Sequence, residues 1–121
     1  KSMLDMGIHT SGGSDAPVVS FDAMENIYFA VTRKNISGQP QEGWIPSEKI
    51  SVDEAVKLFT KNAAYASYTE DENGTIEVGK NADFVVLEKN IYEIDPDEIK
   101  ATKVDMTVLG GEIVYERDVE E

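Results

Sequence analysis

No cysteine occurs in the chain. That excludes a disulfide framework, a thiolate zinc site and a thiol nucleophile, and it fits a reducing compartment, so a cytoplasmic location is expected. Basic residues are scarce. Eleven Lys and Arg stand against 24 Asp and Glu, a net charge of −13. That sign repels phosphate backbones and anionic lipid, so no nucleic-acid or membrane partner is expected. The longest apolar runs, Ile27 to Val31 and Phe84 to Leu87, fall far short of the ~18 residues of a membrane span. The 121 residues allow one modest core but not a complete (β/α)8 barrel, which takes about 250. The chain opens Lys1-Ser2-Met3, with neither an initiator Met nor a signal-peptide pattern, and is expected to be a cut from a longer parent.

What is present divides in two. Residues 1 to 68 carry eight acids and six bases, a net of −2, and residues 69 to 121 carry sixteen acids and five bases, a net of −11. The change falls at Thr69-Glu70-Asp71-Glu72-Asn73-Gly74, a solvated turn signal. In the first part, Met24, Ile27, Tyr28 and Val31 recur at helical spacing. A second helix is predicted to open at the capping box Ser51-Val52-Asp53-Glu54, with the stripe Val52, Ala55, Val56, Phe59, Ala63 and Ala66. Gly7 to Ser11 is short enough for a strand. In the second part, Thr75 to Val78 and Asp83 to Glu88 read as strands. Val104, Met106 and Val108 alternate with Asp105 and Thr107, and Gly110-Gly111 turns a hairpin into Glu112 to Glu116. Pro96 suits the first position of a short helix.

Three motifs fail on their own chemistry. Gly74 to Lys80 matches the phosphate-loop spacing G-x-x-x-x-G-K, but Asn81 replaces the Ser or Thr, and a strand rather than a helix follows. A calcium-loop frame over Thr69, Asp71, Asn73 and Gly74 ends on the cation Lys80, where a bidentate Glu is required. Gly12-Gly13-Ser14-Asp15-Ala16 lacks the closing Gly of a nucleophile elbow. His9, the only His, reads as a strand residue, since one imidazole defines no site. Asp15 remains. An acid just past a short strand, among small residues, stands where parallel α/β folds place chemistry; it also suits a helix cap or Asx turn.

These residues occur in a recognisable order. Gly13-Ser14-Asp15-Ala16-Pro17-Val18 is followed by a helix ending Ala30-Val31-Thr32-Arg33, then by Gly43-Trp44-Ile45-Pro46 and a helix ending Asn62-Ala63-Ala64-Tyr65-Ala66. Next come Gly74-x-Ile76-x-x-Gly79-Lys80-x-Ala82-Asp83-Phe84-Val85-Val86-Leu87 and Val104-x-x-Thr107-Val108-x-Gly110-Gly111-x-Ile113-Val114-Tyr115. From about Gly7 to Tyr115 the chain resembles the C-terminal end of a metal-dependent hydrolase of the amidohydrolase superfamily. The branch it resembles is amidohydrolase family 3, which includes N-substituted formamide deformylase-like enzymes.

The resemblance implies an α/β fold, α+β in isolation. Residues 1–68 would supply the last strand (Gly7 to Ser14) and two outer helices of a TIM-type barrel, and residues 69–121 part of a small β-sandwich. It implies hydrolysis of non-peptide, amide-type C–N bonds of a small molecule by metal-activated water in the parent. Asp15 would be the catalytic carboxylate and a metal ligand. The divalent metal, zinc by the resemblance, needs about three protein ligands. The family's other ligands have no counterpart here, so this chain alone is expected to be inactive and to hold no metal. Arg33 and Trp44 are candidate substrate contacts, with bland alternatives in a helix C-terminus and surface packing. Apolar helix faces without their barrel lead to an expectation of self-association. The competing expectation is a non-catalytic acidic interaction or regulatory module that keeps only the fold.

Overall fold

The computed structural model describes residues 1–118. A four-residue helix α1 (Ser2–Asp5), which the sequence pattern does not signal, precedes an irregular segment. Helix α2 (Ala23–Thr32) forms where the apolar spacing predicts it, and Met24, Ile27, Tyr28 and Val31 are all buried. Its start is set by Asp22, whose Oδ1 accepts the Met24 N–H at 2.8 Å. It ends at Arg33, which adopts a left-handed conformation (φ 59°) and donates its N–H to the Phe29 carbonyl.

The capping box is made in both directions. The Glu54 N–H donates to Ser51 Oγ at 3.1 Å, and the Ser51 N–H donates to Glu54 Oε2 at 2.8 Å. The helix it starts is not continuous. Helix α3 (Val52–Phe59) stops at Thr60 (φ −125°, ψ −97°), and α4 (Lys61–Ala66) follows at once. The Thr60 hydroxyl donates to the Val56 carbonyl at 2.8 Å, the back-bonding by which Thr disturbs a helix interior. The break re-aims the stripe, so that Ala64 is buried while Ala66 is exposed.

The C-terminal half contributes a three-stranded antiparallel sheet in the order β1 (Phe84–Leu87), β2 (Val104–Leu109), β3 (Glu112–Glu116). Phe84 pairs with Val108, and Val108 with Ile113. The turn between β2 and β3 needs positive φ at both central residues, which Gly110 (59°) and Gly111 (84°) supply. A 3-10 helix, Pro96–Ala101, connects β1 to β2 and is capped by Asp95, which accepts the Asp97 N–H.

Two segments expected as strands are unpaired among the described residues. Gly7 to Ser14 carries no strand pairing, and Thr75 to Val78 lies in a turn region. A strand requires a neighbour for its backbone groups, and neither segment has one among the described residues. Ile76 and Val78 accordingly stand exposed. The core crosses the charge boundary. Met24, Ile27, Tyr28, Val31, Ile50 and Ala55 pack with Ile91 and Ile99 from the acidic half, with Leu87 and Ile94 at the margin. No helix among the described residues is long and apolar enough to cross a membrane.

Candidate functional site

The segment from His9 to Gly12 runs along α3 and α4, held at successive helical turns. The His9 ring stacks on Tyr65, with centroids 4.4 Å apart and planes at 24°. The Asn62 amide donates from Nδ2 to the Thr10 carbonyl at 2.9 Å, and the Gly12 N–H donates to the Leu58 carbonyl at 2.9 Å. At Gly12 a Cβ would lie 2.6 Å from Phe59 Cζ, so glycine is what lets the backbone lie this close to the ring.

Three residues further on, the chain turns at Asp15, with the Val18 N–H donating to the Asp15 carbonyl at 2.9 Å. Asp15 has φ 49°, a left-handed conformation that an Asp tolerates better than most side chains. It is exposed, and among the described residues its carboxylate takes part in no hydrogen bond or ion pair. The cap of the following helix is Asp22, so Asp15 is not spent on capping.

Among the described residues, the remaining candidates make their contacts elsewhere than at Asp15. Arg33 and Trp44 are joined to each other: Arg33 Nε donates to the Trp44 carbonyl at 3.0 Å, the Trp44 N–H donates to the Arg33 carbonyl at 2.7 Å, and the guanidinium lies 5.0 Å from the ring centroid. This pair sits just past the end of α2, in the loop that leads to α3, and the Ile50 N–H further along that loop donates to the Ala30 carbonyl. Gly12 bonds the C-terminal turn of α3, a helix of eight residues and about 12 Å in length. No hydrogen bond or ion pair joins Arg33 or Trp44 to Asp15 among the described residues. His9 is engaged by Tyr65.

No group of three His, Asp or Glu among the described residues lies close enough together to hold a metal ion. Among the described residues, Asp15 therefore has no companion His, Asp or Glu to complete the three-ligand set of a catalytic zinc. The depressions at the end of α2 (Thr32, Lys34, Asp97) and beside β2 (Lys100, Lys103, Arg117) do not include Asp15.

The glycine-lysine motif resolves into a structural lock. Lys80 Nζ donates to the Glu70 carbonyl and to Thr75 Oγ1, both at 2.7 Å, and pairs with Glu77 at 3.2 Å. The Thr75 hydroxyl and then the Lys80 ammonium hold the Glu77 carboxyl below its usual range. Asp83 Oδ1 accepts the Gly110 N–H at 2.6 Å and the Ala82 carbonyl accepts the Gly111 N–H at 3.1 Å, so the Ala82-Asp83 step clasps the hairpin turn. Lys80, Thr75, Glu77 and Asp83 each have a partner inside the chain, and the motif's spacing alone did not show which.

Comparison with known proteins places this geometry in a class. An amidohydrolase from Thermotoga maritima MSB8 has the same fold over 96% of this chain and 25% of its own, with a TM-score of 0.67 and 23% identity. YtcJ of Bacillus subtilis is 38% identical over 117 residues, and the N-substituted formamide deformylase of Arthrobacter pascens 36% identical over 117 residues. Both alignments cover 97% of this chain, which spans 22% and 21% of those relatives' lengths. The model of the amidohydrolase family matches residues 1–115. The chain belongs to the amidohydrolase family.

Proposed function

We propose that the chain is the C-terminal part of a metal-dependent amidohydrolase that cleaves non-peptide, amide-type carbon–nitrogen bonds, with Asp15 as its proton-transfer group. The observation that carries this reading is the Asp15 carboxylate: exposed, held at φ 49°, without a partner among the described residues, and inside the segment the family matches. Hydrolysis of an amide needs a base to take a proton from the attacking water and an acid to return one to the departing nitrogen. A carboxylate committed to no cap or ion pair is available for both transfers. The divalent cation, zinc by the family resemblance, would be held mainly by residues outside this chain, with Asp15 as this chain's contribution.

The test is Asp15→Asn in the full-length protein, assayed by amine release from N-substituted formamides and related amides. The expected result is a fall in kcat of about 10²- to 10⁴-fold, the range typical of general acid–base groups, with the melting temperature unchanged. Turnover near the wild-type rate would remove Asp15 from the mechanism.

A further inference from the structure

We propose that Asn62 is a positioning residue, its side-chain amide fixing the backbone from which Asp15 projects. This rests on the role assigned to Asp15 above. Among the described residues, the segment that leads to Asp15 is held against α3 and α4 by side-chain contacts and one backbone hydrogen bond. Three attachments lie along one face of α3 and α4: Tyr65 against His9, Asn62 on Thr10, and Leu58 with Phe59 on Gly12. Of these, the Asn62 bond is the one made by a directional side-chain donor, Nδ2 to the Thr10 carbonyl at 2.9 Å. It is half-buried and spans 52 residues of sequence. An apolar contact lets a segment slide, whereas a hydrogen bond to one carbonyl fixes its register. Asp15 is five residues beyond Thr10, and the Gly12 bond keeps the intervening chain against α3. Without Asn62 the segment would keep its ring contacts and the Gly12–Leu58 backbone bond but lose the side-chain bond that fixes Thr10.

Reacting groups tolerate little displacement, and a misplacement of about 1 Å can cost up to about 100-fold in rate. The experiment uses the full-length protein and the amide substrates of the Asp15 assay. Asn62→Ala is expected to lower kcat 10- to 100-fold, in that range, while KM stays within about twofold. Asn62→Gln, which retains the amide donor, recovers part of the loss. Amide exchange at Gly12 is expected to accelerate in Asn62→Ala, with exchange in the β2–β3 hairpin unchanged. Gly12→Ala, which drives a methyl into the Phe59 ring, gives the same kinetic loss by an independent route, relieved in Gly12→Ala/Phe59→Leu. Wild-type kcat in Asn62→Ala alongside an inactive Asp15→Asn would overturn the positioning role and leave that of Asp15 standing. Wild-type kcat in both variants would overturn the two together.

Discussion

Tyr28 joins the two halves of the chain, and its removal tests whether they share one core. It is fully buried (0% exposed) on the face of α2 that meets the Pro96–Ala101 helix. Its hydroxyl donates to the Asn35 carbonyl at 3.1 Å, and Lys100 Nζ, from the acidic half, lies 4.6 Å from its ring centroid. Truncating a buried aromatic to Ala costs about 3–5 kcal/mol, and Tyr28→Ala is expected to fall there. Tyr28→Phe removes only the hydroxyl. Because Asn35 is exposed, its carbonyl regains water, which places the loss at the low end of ~0.5–1.5 kcal/mol. A Tyr28→Phe/Lys100→Met cycle, which keeps the aromatic ring, is expected to show little coupling, whereas pairing Tyr28→Ala with Lys100→Met should reveal about 0.5–1 kcal/mol. Small domains hold only about 5–15 kcal/mol in total, so Tyr28→Ala removes a large share. Urea titration followed by circular dichroism and by amide exchange of β2 and β3 measures both halves together. Coincident midpoints that shift together are expected. A loss below ~1 kcal/mol, or a hairpin that stays protected after the helices melt, would refute the shared core.

Two further outcomes follow from the helix starts. The Ser51 N–H and then the Lys1 ammonium push the Glu54 carboxyl down to about 2 from 4.5. A depressed carboxyl stabilises the fold above its unfolded value and loses that contribution as pH falls, here between about 4.5 and about 2. Glu54→Gln keeps a capping side chain but should flatten the fall in melting temperature over that window, and equal slopes for the two proteins would contradict this. Asp22→Ala should lower stability by ~1 kcal/mol through loss of the α2 cap, whereas Asp15→Asn should stay within ±0.5 kcal/mol. Thermal melts of the two variants separate the capping acid from the one assigned to chemistry, and a reversed order would undo that assignment.

Much of the fold was legible because its signals are local. The α2 stripe, the Ser51–Glu54 box, the Asp95-Pro96 start and the Gly110-Gly111 turn each depend on residues within a few positions of one another. The differences involve distant partners. Gly7 to Ser14 and Thr75 to Val78 have strand-like composition, yet no strand lies alongside them among the described residues. The break at Thr60 also escaped the pattern, because the apolar stripe continues through it at the same spacing.

Asp15 stood out in the sequence, but its alternatives did not separate there. Capping and chemistry both call for an acid after a turn, and only the coordinates assign the cap to Asp22. Spacing likewise gave no sign that Arg33 and Trp44 bond to each other across the loop after α2. The order of apolar, capping and turn residues determined by itself which elements form and which family the chain resembles, since those signals act over short stretches of backbone. Tertiary structure alone decided that Lys80 and Asp83 lock loops, that Asn62 reaches Thr10, and that the Asp15 carboxylate has no partner among the described residues, because hydrogen bonds between distant residues leave no periodic trace in a sequence.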